Sequence, residues 1–217
     1  MQTRRVLVLG GTGTIGRATV RALVARGHDV VWLVRPTRGD ADGAHPLAAD
    51  ADLAGAALRP CEVTDPASIA CDGIAGERFD VLLSCLASRT GAPDDAWRID
   101  HDAHESALQQ ASAAGIPHMI LLSAICVQKP LLEFQKAKLA FERTLIASGV
   151  DYTIVRPTAF FKSLSGQVGR VRQGKPFMVF GDGTLTACKP ISDNDLAAYL
   201  ADCIDNPDRR NRVLPIG

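Results

Sequence analysis

The sequence predicts a doubly wound α/β fold, a parallel sheet with helices on both faces, and three observations carry that prediction. Short β-branched runs alternate with helical stretches, the runs are apolar throughout, and glycines stand where the helices should stop. A strand covered on both faces has no polar side, so continuous apolar runs are what such a sheet demands.

The elements follow in order. Residues 6–9 form the first strand and lead through a glycine-rich loop into a helix over residues 15–26, which Gly27 ends. Residues 30–34 form the second strand. Residues 38–58, rich in Ala, Asp and Gly, have weak periodicity and read as a surface excursion, after which residues 63–65 close a third strand. The fourth strand is 81–84, a helix covers 94–114 up to Gly115, and the fifth strand is 119–123. A helix over 131–147 stops near Gly149, and the sixth strand is 152–155. Glycine suits these stops because the residue after a helix commonly turns left-handed. Further on, Ser192 precedes an apolar helix with Asp195 three residues later, the pattern of a capping box or of a plain helix start. No internal repeat and no clean linker divides the chain.

Composition excludes several classes of function. With 24 basic and 24 acidic residues, there is no cationic field to hold nucleic acid or anionic lipid. The richest apolar run, residues 119–127, is about half of the roughly 20 residues a membrane span requires. The opening MQTRRVLVLG enters a strand at once, without the features of a signal or transit peptide, so a cytoplasmic, bacterial-type chain is expected. Six cysteines (Cys61, Cys71, Cys85, Cys126, Cys188 and Cys203) contain no C-x-x-C pair, so reduced, mostly buried thiols are expected and no metal site.

The loop G-G-T-G-T-I-G spaces Gly10, Gly13 and Gly16 as G-x-x-G-x-x-G between the first strand and its helix. In a Rossmann-type βαβ unit these glycines permit a tight turn, close approach of backbone to a pyrophosphate, and close packing of helix on strand. The helix start then offers unpaired amides and a partial positive charge to the phosphates. About 20 residues on, where NAD sites carry an acidic residue, stands Arg35. Arginine presents a fork of donors to a 2′-phosphate, so NADPH is the expected cofactor, with Arg38 assisting; the alternative is a solvated surface charge. Glu62 and Val63 are candidates to flank the adenine, and Thr12, Thr14, Ile15, Cys85, Leu86 and Pro157 complete the candidate cofactor contacts. Residues 1–157 are the expected cofactor domain, and 158–217 a smaller substrate-side portion packed on the same core.

The glycine loop, Arg35 and S-G-V-D-Y-T-I-V-R-P (148–157) resemble the atypical, NmrA-like short-chain dehydrogenase/reductases. Two longer segments, I-C-V-Q-K-P-L-L-E-F-Q-K-A-K-L-A-F-E (125–142) and R-P-T-A-F-F-K-S-L-S-G-Q-V (156–168), resemble the NADPH-dependent 3,8-divinyl chlorophyllide a 8-vinyl reductases. The same is true of G-K-P-F-M-V-F-G-D-G and C-K-P-I-S-D further on. The resemblance runs along essentially the whole chain and implies reduction of the C8 vinyl group of divinyl chlorophyllide, or of its protochlorophyllide relative, to ethyl. It also implies a tetrapyrrole as the small-molecule partner. Those reductases continue beyond V-L-P-I-G, so the chain reads as truncated.

Most short-chain reductases use a Tyr-x-x-x-Lys pair; here F-Q-K-A-K puts Phe134 at the tyrosine position and keeps Lys138. The usual acid is absent, which suits reduction of a carbon-carbon double bond whose developing charge spreads into a conjugated ring. Phe134, Lys138, Phe141 and Leu145 share one helix face, so Lys138 must either meet a polar partner, such as a ribose hydroxyl, or snorkel to water. Ser123 takes the place of the usual catalytic serine, or is a plain strand-end hydroxyl. Phe160 and Phe161 are candidates to stack on the flat macrocycle, or core residues, and Lys162 or Lys129 to meet a propionate. Lacking the tyrosine, a dinucleotide-sensing regulator is the alternative function, since such folds can bind NADP(H) without turning it over.

Overall fold

A computed structural model describes residues 2–37, 47, 53–179, 181–184 and 189–217. Seven strands, β1 (Arg5–Leu9), β2 (Asp29–Val34), β3 (Ala56–Pro60), β4 (Val81–Ser84), β5 (His118–Leu122), β6 (Asp151–Pro157) and β7 (Arg212–Ile216), form one sheet. Their order is β3-β2-β1-β4-β5-β6-β7, and every neighbouring pair is parallel. The order reverses between β1 and β4, and the crevice beyond the carboxyl ends of those strands is where this fold places ligands.

Alternate residues of the strands serve the two faces. Val6, Val8, Trp32 and Leu83 pack with Ile15, Val20 and Leu23 of α1 (Thr14–Ala25) and Leu196 and Leu200 of α7 (Asp193–Asp205). Leu7, Leu9, Leu33, Leu82 and Met119 pack instead with Leu108 of α4 (Ala103–Ala113) and Phe141 and Leu145 of α5 (Glu133–Ala147). Both faces are buried, which is why each inner strand is apolar without alternation. Gly27, Gly115 and Gly149 turn left-handed after their helices, as anticipated. Ser192 caps α7, its hydroxyl oxygen accepting from the Asp195 amide at 3.0 Å.

Several boundaries differ from the sequence reading. The third strand is Ala56–Pro60, which starts within the end of the expected surface excursion (38–58) and runs past it, and Val63–Asp65 is loop. It is an edge strand paired on one side only, so it needs no dense apolar run; Asp65 meanwhile caps the short helix α2 (Pro66–Ser68), taking the chain away from the sheet. The helix expected over 94–114 begins as α3 (Pro93–Ala96) and passes through a π-helical turn, Trp97–Asp102, before α4. β7 was not expected at all, because Pro215 interrupts it; a sheet edge tolerates proline. Through α7 and β7, residues 158–217 share one sheet and one core with residues 1–157.

The thiols correct another expectation. Cys61 and Cys203 are buried, Cys85 is half-buried, and Cys71 and Cys126 are exposed, on a π-helical turn (Ile69–Ile74) and a loop turn that face solvent. Arg38, Cys188 and most of residues 38–52 lie outside the described residues. Among the described residues no helix is long and apolar enough to cross a membrane.

Candidate functional site

The glycine loop begins at the end of β1. Gly10 has φ +71°, and a Cβ there would stand 2.6 Å from the backbone of Cys85 and Leu86, which follow β4. A Cβ on Gly16 would stand 2.1 Å from the Gly10 carbonyl oxygen, so only glycine lets α1 pack against the loop. Gly13 differs: its Cβ would meet nothing nearer than 3.5 Å, which leaves that face open to a ligand. Gly13 is also the N-cap of α1, with no side-chain cap and no acidic residue in the first turn. The first amides of α1 thus lack a capping side chain, and the helix dipole favours an anion there.

Two adjoining cavities of about 500 and 470 Å³ share Cys85, Leu86, Leu122 and Phe160 and make one cleft. The first holds Gly10, Thr12, Gly13, Thr14, Ile15 and Gly16, with Arg35 and Arg98 on its wall. Arg35 is exposed there. Glu62 and Val63 do not line either cavity. Partial burial pushes the Glu62 carboxyl up, but bonds from the Thr64 hydroxyl (2.7 Å) and amide (3.1 Å), with the Arg35 and Arg98 charges, bring it below its ordinary value.

The second cavity brings together Ser123, Phe134, Lys138, Pro157 and Phe160. Of the two readings offered for Lys138, a polar partner or a snorkel to water, the structure gives a polar partner: the side chain is buried and its Nζ lies 2.9 Å from Asp100 Oδ1. Asp100 comes from the π-helical turn, and its other oxygen accepts from the Ser88 hydroxyl at 2.6 Å. The Ser123 hydroxyl is buried with no hydrogen-bond partner among the described residues, while its amide donates to the Val155 carbonyl at 2.8 Å. Burial pushes the Cys85 thiol up to about 12, so it stays protonated.

Beneath the cleft, His104 takes Ser84 Oγ at 2.8 Å on Nε2 and the Ile99 carbonyl at 2.9 Å on Nδ1. Burial first, then the Lys138 charge, holds its pKa well below the usual value. The neutral ring donates to Ile99 and accepts from Ser84, whose oxygen accepts from the Leu86 amide at 3.3 Å. The floor of the cleft is thereby fixed.

Three expected substrate contacts fall elsewhere. Phe161 is 55% exposed and lines a groove over Arg17 and Arg21 that adjoins the first cavity but not the second, because the 3-10 turn Phe161–Leu164 rotates it away from its neighbour. Phe160, tied by a bridge to Ile191, stays in the cleft. Lys162 reaches back to the glycine loop, donating to Thr14 Oγ1 at 2.8 Å, and so stands on the cofactor half. Lys129 is an exposed loop residue away from both cavities. Asp100, Ser88 and His104 carried no sequence signal, since each is one polar residue in a mixed stretch.

The chain matches the NAD(P)H-binding family over residues 10–207. It is 51% identical to the divinyl chlorophyllide a 8-vinyl-reductase of Zea mays, over 98% of this chain and 54% of that protein. The Arabidopsis thaliana protein of the same name is 48% identical, over 98% and 52%. The chain spans about half the length of these curated relatives. Among solved structures, UDP-glucose 4-epimerase from Thermotoga maritima superposes with TM-score 0.78 at 17% identity, over 98% of this chain and 76% of that one, a likeness of fold. The open amides of α1, the glycine cradle and the family match agree: the chain belongs to the NAD(P)H-binding family.

Proposed function

We propose that the protein is an NADPH-dependent reductase that converts the C8 vinyl group of 3,8-divinyl chlorophyllide a, or of its protochlorophyllide relative, to ethyl. The carrying observation is the content of the second cavity: Phe134 stands where an acid would, with Lys138 one turn on, and both tyrosines, Tyr152 and Tyr199, lie outside the cleft. A carbonyl substrate would need an acid at its oxygen. A conjugated macrocycle takes up the developing charge itself, and a proton from water then completes the ethyl group. The names of the half-identical relatives support the same reaction.

The residues fit the cofactor. Gly10, Gly13, Gly16 and the first amides of α1 would hold the pyrophosphate, with Thr12, Thr14, Ile15, Cys85 and Leu86 around it. Arg35 and Arg98 offer guanidinium forks to a 2′-phosphate, which supports NADPH over NADH. When bound, the nicotinamide supplies the hydride. Lys138 would meet the nicotinamide ribose, Pro157 lines the same cavity, and Phe134 and Phe160 would give apolar surface to a flat ring. Positioning supplies most of the catalysis. The division between a cofactor portion, 1–157, and a substrate-side portion, 158–217, belongs to this proposal, the latter contributing Phe160 and Ser163 to the cleft.

Purified full-length protein mixed with NADPH and divinyl chlorophyllide should blue-shift the Soret band as the vinyl conjugation is lost; an unmoved band at saturating NADPH overturns the reading. Arg35→Ala should raise KM for NADPH by about tenfold or more and leave that for NADH nearly unchanged. Equal effects on both would remove the 2′-phosphate assignment.

A further inference from the structure

Lys138 and Asp100 form an ion pair that is almost wholly removed from water, with side chains 8% and 0% exposed. A buried pair persists only if its remaining polar atoms are also satisfied. Asp100 meets that condition: Oδ1 takes Lys138 at 2.9 Å and the Ser88 amide at 3.4 Å, and Oδ2 takes the Ser88 hydroxyl at 2.6 Å. Lys138 does not. An ammonium has three N–H donors, and among the described residues Asp100 is its partner, which leaves donors to spare on a side chain that lines the cavity.

The backbone around Asp100 departs from regular geometry as well. Trp97–Asp102 is a π-helical turn between α3 and α4, which shifts the carboxylate relative to an uninterrupted α-helix. Such turns are rare and concentrate at functional sites. Ser88 comes from a different place, the loop following β4 at the carboxyl edge of the sheet. Three separate segments therefore converge to hold one cation in the cleft.

We infer that Asp100, clamped by Ser88, is a positioning residue that fixes the Lys138 ammonium so that its spare donors serve the nicotinamide ribose. This rests on the dinucleotide reading of the cleft and is independent of which double bond is reduced. The Asp100 side chain is wholly buried, and the role assigned to it is exerted through Lys138. Without its charge the lysine is left buried beside a neutral group, and its stem is free to swing toward solvent.

The test is a double-mutant cycle on Asp100→Asn and Lys138→Met, read by NADPH fluorescence titration and then by steady-state reduction. Asp100→Asn keeps the shape and the bond from Ser88 while removing the charge. It should weaken NADPH binding and lower kcat by about tenfold, with KM for the tetrapyrrole little changed. In the Lys138→Met background the same substitution should add nothing. Effects that multiply in the double variant, or a Kd for Asp100→Asn within about twofold of the parent, overturn the inference. Should Asp100→Asn fail to fold by circular dichroism, Ser88→Ala decides, since it keeps both charges and loosens only the clamp. Weaker NADPH binding that vanishes with Lys138→Met supports the role, and unchanged binding overturns it. Because binding is read without any tetrapyrrole, an inactive parent protein would sink the proposed reaction and leave this result standing.

Discussion

A methyl group on Gly16 has nowhere to go, and one on Gly13 does, although both belong to the same loop. Gly16→Ala would push α1 off the loop, so both the melting temperature and NADPH affinity should fall. Gly13→Ala should leave the melting temperature within a few degrees and still cost NADPH affinity by about tenfold, since its methyl occupies the ligand's space. Thermal melts beside fluorescence titrations separate the two, and a Gly13 variant that binds normally would show that the pyrophosphate lies elsewhere. Residues of this kind can be read from sequence because their constraint is local: spacing alone sets the turn. Arg35 is readable for the same reason, being fixed by its distance from the loop. Asp100 is not, because its burial depends on a π-helical turn and on a lysine far along the chain. Phe160 and Phe161 look alike in sequence, and only a 3-10 turn sends one inward and the other to solvent.

Elements tell a parallel story. The inner strands announce themselves because burial on both faces leaves them purely apolar, whereas β3 and β7, at the edges, are half-exposed and carry Arg59 and Pro215 without penalty. Contact between elements is less visible still. Arg156 of β6 makes a two-pronged pair with Glu142 of α5, Nε donating to Oε1 at 3.1 Å and Nη2 to Oε2, with the Glu142 side chain 1% exposed. Taken singly, both read as surface charges. Glu142→Ala would strand the guanidinium in a largely buried site and should destabilise the protein by about 3–5 kcal/mol in urea unfolding. Glu142→Gln, which keeps one acceptor, should cost less; equal or negligible losses would mean that the pair does not anchor α5 to the sheet.

For the molecule as a whole, buried histidines set the response to acid, His104 and His118 above all, while His28 is lowered by burial against the opposing Asp205 charge. Burial lowers both His104 and His118 to about 4, in His118 with help from the Arg210 charge against the opposing Asp151. The unfolded chain binds these protons near pH 6.5, and the folded one only near 4, so unfolding takes up protons between the two. Their contribution to stability is complete above about pH 6.5 and is lost as pH falls toward 4, at up to about 1.4 kcal/mol per pH unit for each ring. A bond from the Asn211 side chain, the largest cause, holds the Asp151 carboxyl below its ordinary value. Melting temperature should therefore decline from pH 6.5 to 5, and more gently in a His104→Asn, His118→Asn variant. A decline of the same slope in the variant would assign it to other groups.

The packing of α1 against α7, with Arg26 reaching Asp205 at 3.2 Å and the Ala198 carbonyl at 3.0 Å, joins segments as much as 179 residues apart. During synthesis the glycine loop and α1 emerge first, and the apolar stripe of Ile15, Val20 and Leu23 waits for its cover until residues 193–205 have left the ribosome. Until then the nascent polypeptide exposes a sticky helix, a natural substrate for a chaperone. The helix that opens from the dinucleotide loop is covered only once α7 arrives.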